Sequence, residues 1–239
     1  MSIAALVLAA GKSSRMGRDK LSLPLVLQND SSSTVPQTAA HVDPVRPITI
    51  GGTVLSAIMA KESIDFVVIV LAPYSSADWI AECQQWQQQS GGRLQIVVCE
   101  QAEQGMSYSI RTGMQHISSI GASHVLIMLA DQPLIAAEHL HQLTQYAIKQ
   151  PQLDYVAASD GKTAMPPIVF SPSAWQQLEQ LQGDQGARKL LSSEHLHGAV
   201  IQLPAYAFWD ADTPEALAQI RLHLETQSTA DKRRSDEAN

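Results

Sequence analysis

The chain has 239 residues, with 16 Lys+Arg against 23 Asp+Glu and a formal net charge of −7. That length allows one generous domain or two small ones with a core able to fold unaided, and a hydrophobic share of 45% argues against wholesale disorder. The acidic balance excludes general nucleic-acid binding, which relies on basic surface to displace phosphate counterions.

In chain order, the run Ile3–Ala9 reads as a buried strand, and Phe66–Leu71, Leu94–Val98 and Val125–Leu129 read alike. Each is short, partly β-branched and apolar on both faces, the pattern of parallel strands covered by helices on each side. Amphipathic segments lie between and after them. Val54, Leu55, Ile58 and Met59 make one stripe, Trp79, Cys83 and Trp86 a second, and Ile110, Gly113, Met114 and Ile117 a third. Leu140, Leu143 and Ala147 follow, and a last helix opens with Thr213 as N-cap and Pro214 at its first position. Strand–helix alternation at this spacing predicts an α/β fold, doubly wound around a mostly parallel sheet. In such sheets ligands bind beyond the carboxyl ends of the strands.

The expected organisation is a single domain over 1–225. Residues 28–46, polar and aperiodic, form an inserted mobile loop in this reading, and 226–239, charged and almost without apolar residues, a disordered C-terminal tail. No apolar run approaches the roughly 18–20 residues of a spanning helix, so no membrane partner is expected. The run Ile3–Ala10 resembles the apolar part of a signal sequence, but Lys12, Arg15 and Arg18 follow it instead of preceding it. Cys83 and Cys99 are too few for a disulfide framework and lack metal-ligand spacing. A reduced, cytoplasmic protein is expected.

The chemistry concentrates at strand ends. Directly after the first run stands Leu8-Ala-Ala-Gly-Lys-Ser-Ser-Arg-Met-Gly-Arg-Asp-Lys20. Gly11 and Gly17 permit close backbone approach and positive φ, and Ala9 and Ala10 leave room for a flat base or ribose. Lys12, Arg15, Arg18 and Lys20, less Asp19, give residues 11–20 a local charge of +3. Amide donors with fixed cations and little side-chain bulk suit a triphosphate. Gly11-Lys12-Ser13 imitates the end of a Walker A loop, but the earlier glycine that loop needs would be position 6, which is Leu6. No Gly-x-Gly-x-x-Gly is present, so a dinucleotide site has no support. Leu129-Ala-Asp-Gln-Pro133 places Asp131 at the end of another strand, where a hard divalent cation could bridge it to phosphate oxygens. Trp209-Asp-Ala-Asp-Thr-Pro214 adds Asp210 and Asp212 just before a helix; locally Asp212 or Thr213 is also a simple N-cap. With Asp131 they suggest a Mg²⁺ site completed by phosphates and water.

Five segments occur in order: residues 8–20, Gly105-Met-Ser-Tyr-Ser109, Leu129–Pro133, Gly183-Asp-Gln-Gly-Ala-Arg188 and Asp210-Ala-Asp-Thr-Pro214. Together they resemble the MobA-like NTP transferases that mature the molybdenum cofactor, in particular the cytidylyltransferase branch serving xanthine-dehydrogenase-type hydroxylases. The resemblance spans about residues 3–225 without the insertion. It implies a Rossmann-like three-layer α/β/α nucleotidyltransferase fold and transfer of CMP from CTP to the terminal phosphate of molybdopterin, with pyrophosphate released. It also implies roles. Leu8, Ala9, Ala10, Gly11, Lys12, Ser13, Arg15, Lys20, Gly105, Ser107, Ser109 and Ala130 would bind nucleotide, with Arg15, Lys20 and Asp131 catalytic. Asp131, Asp212 and less directly Asp210 would hold Mg²⁺, while Gly183, Asp184 and Arg188 would face the acceptor. A molybdenum hydroxylase would be a transient partner. CTP over GTP rests on Leu8-Ala-Ala-Gly11, since guanylyl relatives tend to carry a second glycine there. The sequence departs from the family at Ala164-Met-Pro-Pro167, where a Gly-His-Pro-like element is usual, and at Ala211, where isoleucine is common. Transfer to a sugar phosphate or other small acceptor is the alternative among enzymes, and a non-catalytic molybdenum-cofactor carrier the alternative outside them.

Other features carry less. His139-x-His141 sits on a helix, where i and i+2 face apart, and His195-x-His197 reads as exposed polar residues. Lys232-Arg-Arg234 is offset by Asp231, Asp236 and Glu237.

Overall fold

The computed structural model describes residues 2–13, 16–25, 48–61 and 63–237. The expectation of an inserted loop at 28–46 therefore falls outside the described residues. Their flanks are joined, however: the Leu25 amide donates to Ile48 O at 2.6 Å and the Ile50 amide to Leu23 O at 3.0 Å.

Seven strands form one sheet in the order β3-β2-β1-β4-β6-β5-β7. They are β1 (Ile3–Leu8), β2 (Phe66–Leu71), β3 (Leu94–Val98), β4 (His124–Leu129), β5 (Tyr155–Ser159), β6 (Ala164–Phe170) and β7 (Gly198–Gln202). The four apolar runs of the sequence are β1 to β4, all mutually parallel. β6 alone runs antiparallel, to β4 on one side and β5 on the other, while β7 is parallel to β5. The last three strands escape a search for uniform apolar runs for local reasons. β6 contains Pro166 and Pro167, which a strand pattern demotes, and β7 alternates exposed with half-buried residues at the sheet edge.

Strand β1 is buried throughout and divides its side chains between two cores. Ile3, Ala5, Val7 and Ala9 face one, Ala4, Leu6, Leu8 and Ala10 the other, as the two-residue strand period requires. Against the first face pack α1 (Ile50–Met59), α2 (Ala77–Gln89), α4 (Ala137–Lys149) and α6 (Pro214–Glu237). Against the second pack α3 (Met106–Ile120) and the short α5 (Trp175–Glu179). The predicted stripes are the buried faces of these helices: Val54, Leu55 and Ile58; Trp79 and Cys83; Ile110, Met114 and Ile117; Leu140, Leu143 and Ala147.

Helix ends follow the sequence. Thr49 Oγ1 accepts from the Gly52 amide, Ser76 Oγ from that of Trp79, and Thr213 Oγ1 from that of Ala216. The guanidinium of Arg93 donates to Met59, Lys61 and Ile64 carbonyls, closing the C-terminal end of α1. His139 Nδ1 accepts from the Ala136 amide at 3.1 Å, which gives that histidine a local structural task. At the other end of the chain α6 corrects the expected tail. Its backbone stays helical to Glu237, because no glycine or proline interrupts residues 215–237 and low apolar content does not remove helix propensity. Both cysteines are buried and free, and burial pushes the Cys83 thiol well above its usual range, consistent with an apolar filler. No helix among the described residues is long and apolar enough to cross a membrane.

α1 meets α2 across Gly51. A Cβ there would come 2.2 to 2.8 Å from three ring atoms of Trp79, an indole fully buried in the core and unable to swing aside. Gly51→Ala is expected to destabilise the protein by about 1–3 kcal/mol through overpacking, despite the better helix propensity of alanine, read as a lower urea midpoint at unchanged slope.

Candidate active site

Register places three chain segments at one edge. Leu8 pairs with Val70 on one side and Leu129 on the other, so residues following β1, β2 and β4 emerge together at the carboxyl end of the sheet. Further backbone bonds continue the alignment, from the Ala9 amide to Val70 O and from the Ala130 amide to Leu8 O, at 3.0 and 3.1 Å. A cleft of about 360 Å³ opens there, within the size range of small-ligand sites. Leu8, Ala9, Ala10, Gly11, Lys12, Lys20, Gly105, Ser109, Ala130 and Asp131 line it, all named from the sequence.

The glycine loop is closed by the Lys20 amide, which donates to Ser13 Oγ at 3.1 Å. Gly17 adopts φ 66°, where a side chain would be strained; Gly11 keeps negative φ and contributes an uncrowded wall. Asp19 turns away from the cleft, accepting from the Leu21 and Ser76 amides and so tying the loop to the start of α2.

At the floor stands Lys20, 8% exposed. Its ammonium donates to Asp131 Oδ2 at 2.5 Å and to Asp212 Oδ1. Burial lowers its pKa, but Asp131 and then Asp212 outweigh that, and the net displacement is upward from 10.5. The lysine is a permanent cation at physiological pH. Asp131 Oδ1 is buried and has no hydrogen-bond partner, an orphaned acceptor of the kind that a cation would satisfy. The Ala211 amide donates to Asp131 O at 3.0 Å, holding the Asp210–Thr213 segment against the end of β4. Asp210 is exposed, within electrostatic reach of Asp131, Asp212 and Lys20. Desolvation, then the like charges of Asp131 and Asp212, push its carboxyl up to about 6, against a hydrogen bond from Gln132 and the charge of Lys20. Among the described residues no group of three or more His, Cys, Asp and Glu converges as a metal site. The residues present fit a divalent cation only if phosphates and water complete its shell.

The cleft also recruits residues that the motifs do not contain. Tyr74, just past β2, donates its hydroxyl to Ala10 O at 3.0 Å and lies under the Lys12 ammonium, 5.9 Å from the ring centroid. Lys12 pairs with Glu103 at 3.1 Å. The strand-end rule that singled out Asp131 applies equally to Tyr74, three residues beyond Leu71. Glu103 carries no comparable signal, whereas Met106 lies within the Gly105–Ser109 segment, though only its neighbours are singled out there.

Other expectations come apart. Ser109 lines the cleft but Ser107 does not; it is fully buried, its hydroxyl unpartnered, and its amide donates to Gly183 O at 3.1 Å. Asp184 lines the cleft with Lys20 and Asp131, whereas Arg188 lies with Lys162 and Lys189 in a separate open recess. Arg15 lies outside the described residues.

Residues 5–199 match the sequence profile of the MobA-like NTP transferase domain. The chain belongs to the MobA-like NTP transferase family. It is a nucleotidyltransferase, and its sheet is the Rossmann-like one of that group. It is 32% identical over 219 residues to the purine catabolism protein PucB of Bacillus subtilis, covering 90% of this chain and 93% of that one. In fold it resembles Rv0371c from Mycobacterium tuberculosis H37Rv, with a TM-score of 0.66, 21% identity and coverage of 92% and 98%. It also resembles molybdopterin-guanine dinucleotide biosynthesis protein A from Archaeoglobus fulgidus, with a TM-score of 0.59, 16% identity and coverage of 93% and 99%.

The raised Asp210 pKa has a consequence for this nucleotidyltransferase. Between pH 3.8 and about 6 the folded protein keeps a proton on Asp210 that the unfolded chain has released, so stability falls as pH rises through that window. Asp210→Asn should therefore melt higher than the parent at neutral pH, with the advantage fading as pH is lowered toward 4. An advantage equal at both ends would assign the shift to another group.

Proposed function

We propose that this nucleotidyltransferase moves CMP from CTP onto the terminal phosphate of a molybdopterin-type acceptor and releases pyrophosphate. The observation that carries the proposal is the Lys20 ammonium, fixed between Asp131 and Asp212 on the floor of a glycine-walled cleft. An acceptor phosphate oxygen attacks the α-phosphorus in line; the new P–O bond forms as the bond to the β-phosphate oxygen breaks, and pyrophosphate leaves with the electron pair. The acceptor phosphate is already nucleophilic, so no strong general base is required. What this chain must supply is alignment of two anions that repel each other and stabilisation of charge on the transferred phosphoryl group.

Lys20 meets the second requirement, as a buried donor that stays charged. Arg15 is assigned a parallel role by its place in the motif. Asp131 and Asp212, and less directly Asp210, are assigned to Mg²⁺, and the orphaned Asp131 Oδ1 supports that choice. Bound there, the ion would neutralise developing charge on the phosphates. Ala9, Ala10 and Gly11 leave a flat wall for base and ribose, in a cleft that Ser109 also lines. The Ala10 methyl favours cytosine over guanine by size, an effect of about 1–3 kcal/mol. Kinship with a purine catabolism protein fits a hydroxylase acting on purines as the recipient of the finished cofactor.

Pyrophosphate release should be measured with each of the four NTPs, with and without molybdopterin. Release with CTP that depends on the acceptor is expected; release with another NTP or with a sugar phosphate alone would redirect the assignment, and none with any nucleotide would favour a carrier. Lys20→Ala should remain folded by circular dichroism while turnover falls about 10²–10³-fold, the usual loss on removing one buried transition-state donor. Turnover at the parental level would remove Lys20 from the chemistry.

A further inference from the structure

We infer that Arg111 is a positioning residue, which straps residues 181–186 onto the start of α3 and thereby sets where the acceptor stands relative to the nucleotide. The kinetic part rests on the functional reading above; the structural part rests on geometry alone.

Arg111 lies in the second turn of α3 and is not among the residues that line the cleft. Its guanidinium stacks on the ring of Tyr108, 4.3 Å from the centroid, and Nη1 donates to Leu181 O. Leu181 is buried just beyond α5. From there the strap is registered on α3 nearly residue by residue. The Ser107 amide donates to Gly183 O at 3.1 Å. Gly105 and Gly183 touch backbone to backbone, since a Cβ at Gly105 would stand 2.3 Å from the Gly183 carbonyl. A Cβ at Gly186 would stand 2.7 Å from Met106 Sδ. Glycine is required at 105, where φ is 125° and the opposing atoms are backbone; at 186 the neighbour is the flexible end of Met106, which can move.

The strap separates two compartments. Asp184 lines the cleft that contains Lys20 and Asp131. Gly186 borders the open recess where Lys162, Arg188 and Lys189 gather, three cations with no carboxylate in ion-pair reach among the described residues. An anionic acceptor bound along that recess would meet the nucleotide across the strap. The glycine loop is built on β1 and braced by Ser13 and Asp19, so it does not depend on the strap. Moving the strap therefore changes acceptor alignment and displaces Asp184 and Gly105 at one side of the cleft, while the loop at 9–20 that grips the nucleotide stays in place. Arginine suits the task because one planar group both stacks and donates; lysine could reach the carbonyl but would lose the stack.

The test uses the whole chain with Arg111→Met and Arg111→Lys. Hydrogen exchange should rise about tenfold or more at the Ser107 amide and across 183–186 in the methionine variant, reporting a loosened strap. The CTP dissociation constant should stay within about twofold, while the KM for the acceptor rises at least about fivefold. The lysine variant should fall between. Unchanged exchange in Arg111→Met would overturn the inference, as would a loss of CTP affinity equal to the loss of acceptor affinity. If the parent shows no turnover with any acceptor, the functional reading fails separately, and exchange with CTP binding still decides the strap.

Discussion

One buried ammonium organises the carboxyl edge of the sheet in this protein. Lys20 comes from the loop after β1, Asp131 from the end of β4 and Asp212 from the turn before α6, and the ion pairs between them join segments more than a hundred residues apart. A lysine so enclosed would lose its proton or leave if it lacked partners; two carboxylates keep it charged and in place. The carboxylates depend on the lysine in turn, because Asp131, Asp210 and Asp212 would otherwise repel one another without relief. Such an arrangement adds little net stability, since desolvation offsets much of the attraction. Its consequence is a preformed charge pattern that a polyphosphate can meet without reorganising the protein.

The sheet makes that pattern possible. β1 and β4 are held in register along their whole length, both faces are covered by apolar helices, and every loop at the carboxyl edge is thereby suspended from a rigid support. The net charge of −7 is compatible with an anionic ligand because the charges are sorted. Cations concentrate in the glycine loop and in the recess around Arg188, while acids elsewhere provide solubility. A chain-wide sum speaks only to long-range attraction of polymers.

Much of the fold was readable from periodicity. β1 to β4 are apolar on both faces, which only a doubly covered strand tolerates, and the helix stripes at 54–58, 110–117 and 140–147 returned as buried faces. β5, β6 and β7 were not readable, since their identity as strands comes from neighbours they pair with and not from their own composition. The site divides similarly. Lys20, Asp131 and the Ala9–Gly11 wall stand at the ends of apolar runs and announce themselves. Tyr74 and Glu103 belong to the cleft only because β2 and the segment before α3 end beside the glycine loop.

The sequence by itself determined the layer architecture, the place of the glycine loop at the sheet edge and most of the residues that line the cleft, because each follows from local spacing and from chemistry within a few residues. Tertiary structure decided which of those residues cooperate. It joined Lys20 to Asp131 and Asp212, sent Ser107 into the core while Ser109 faced the cleft, and parted Asp184 from Arg188 although only three residues separate them. Spacing along a chain limits which groups can be near one another. Contact between α3 and the strap at 181–186, close enough to demand glycine at position 105, determines which of them are.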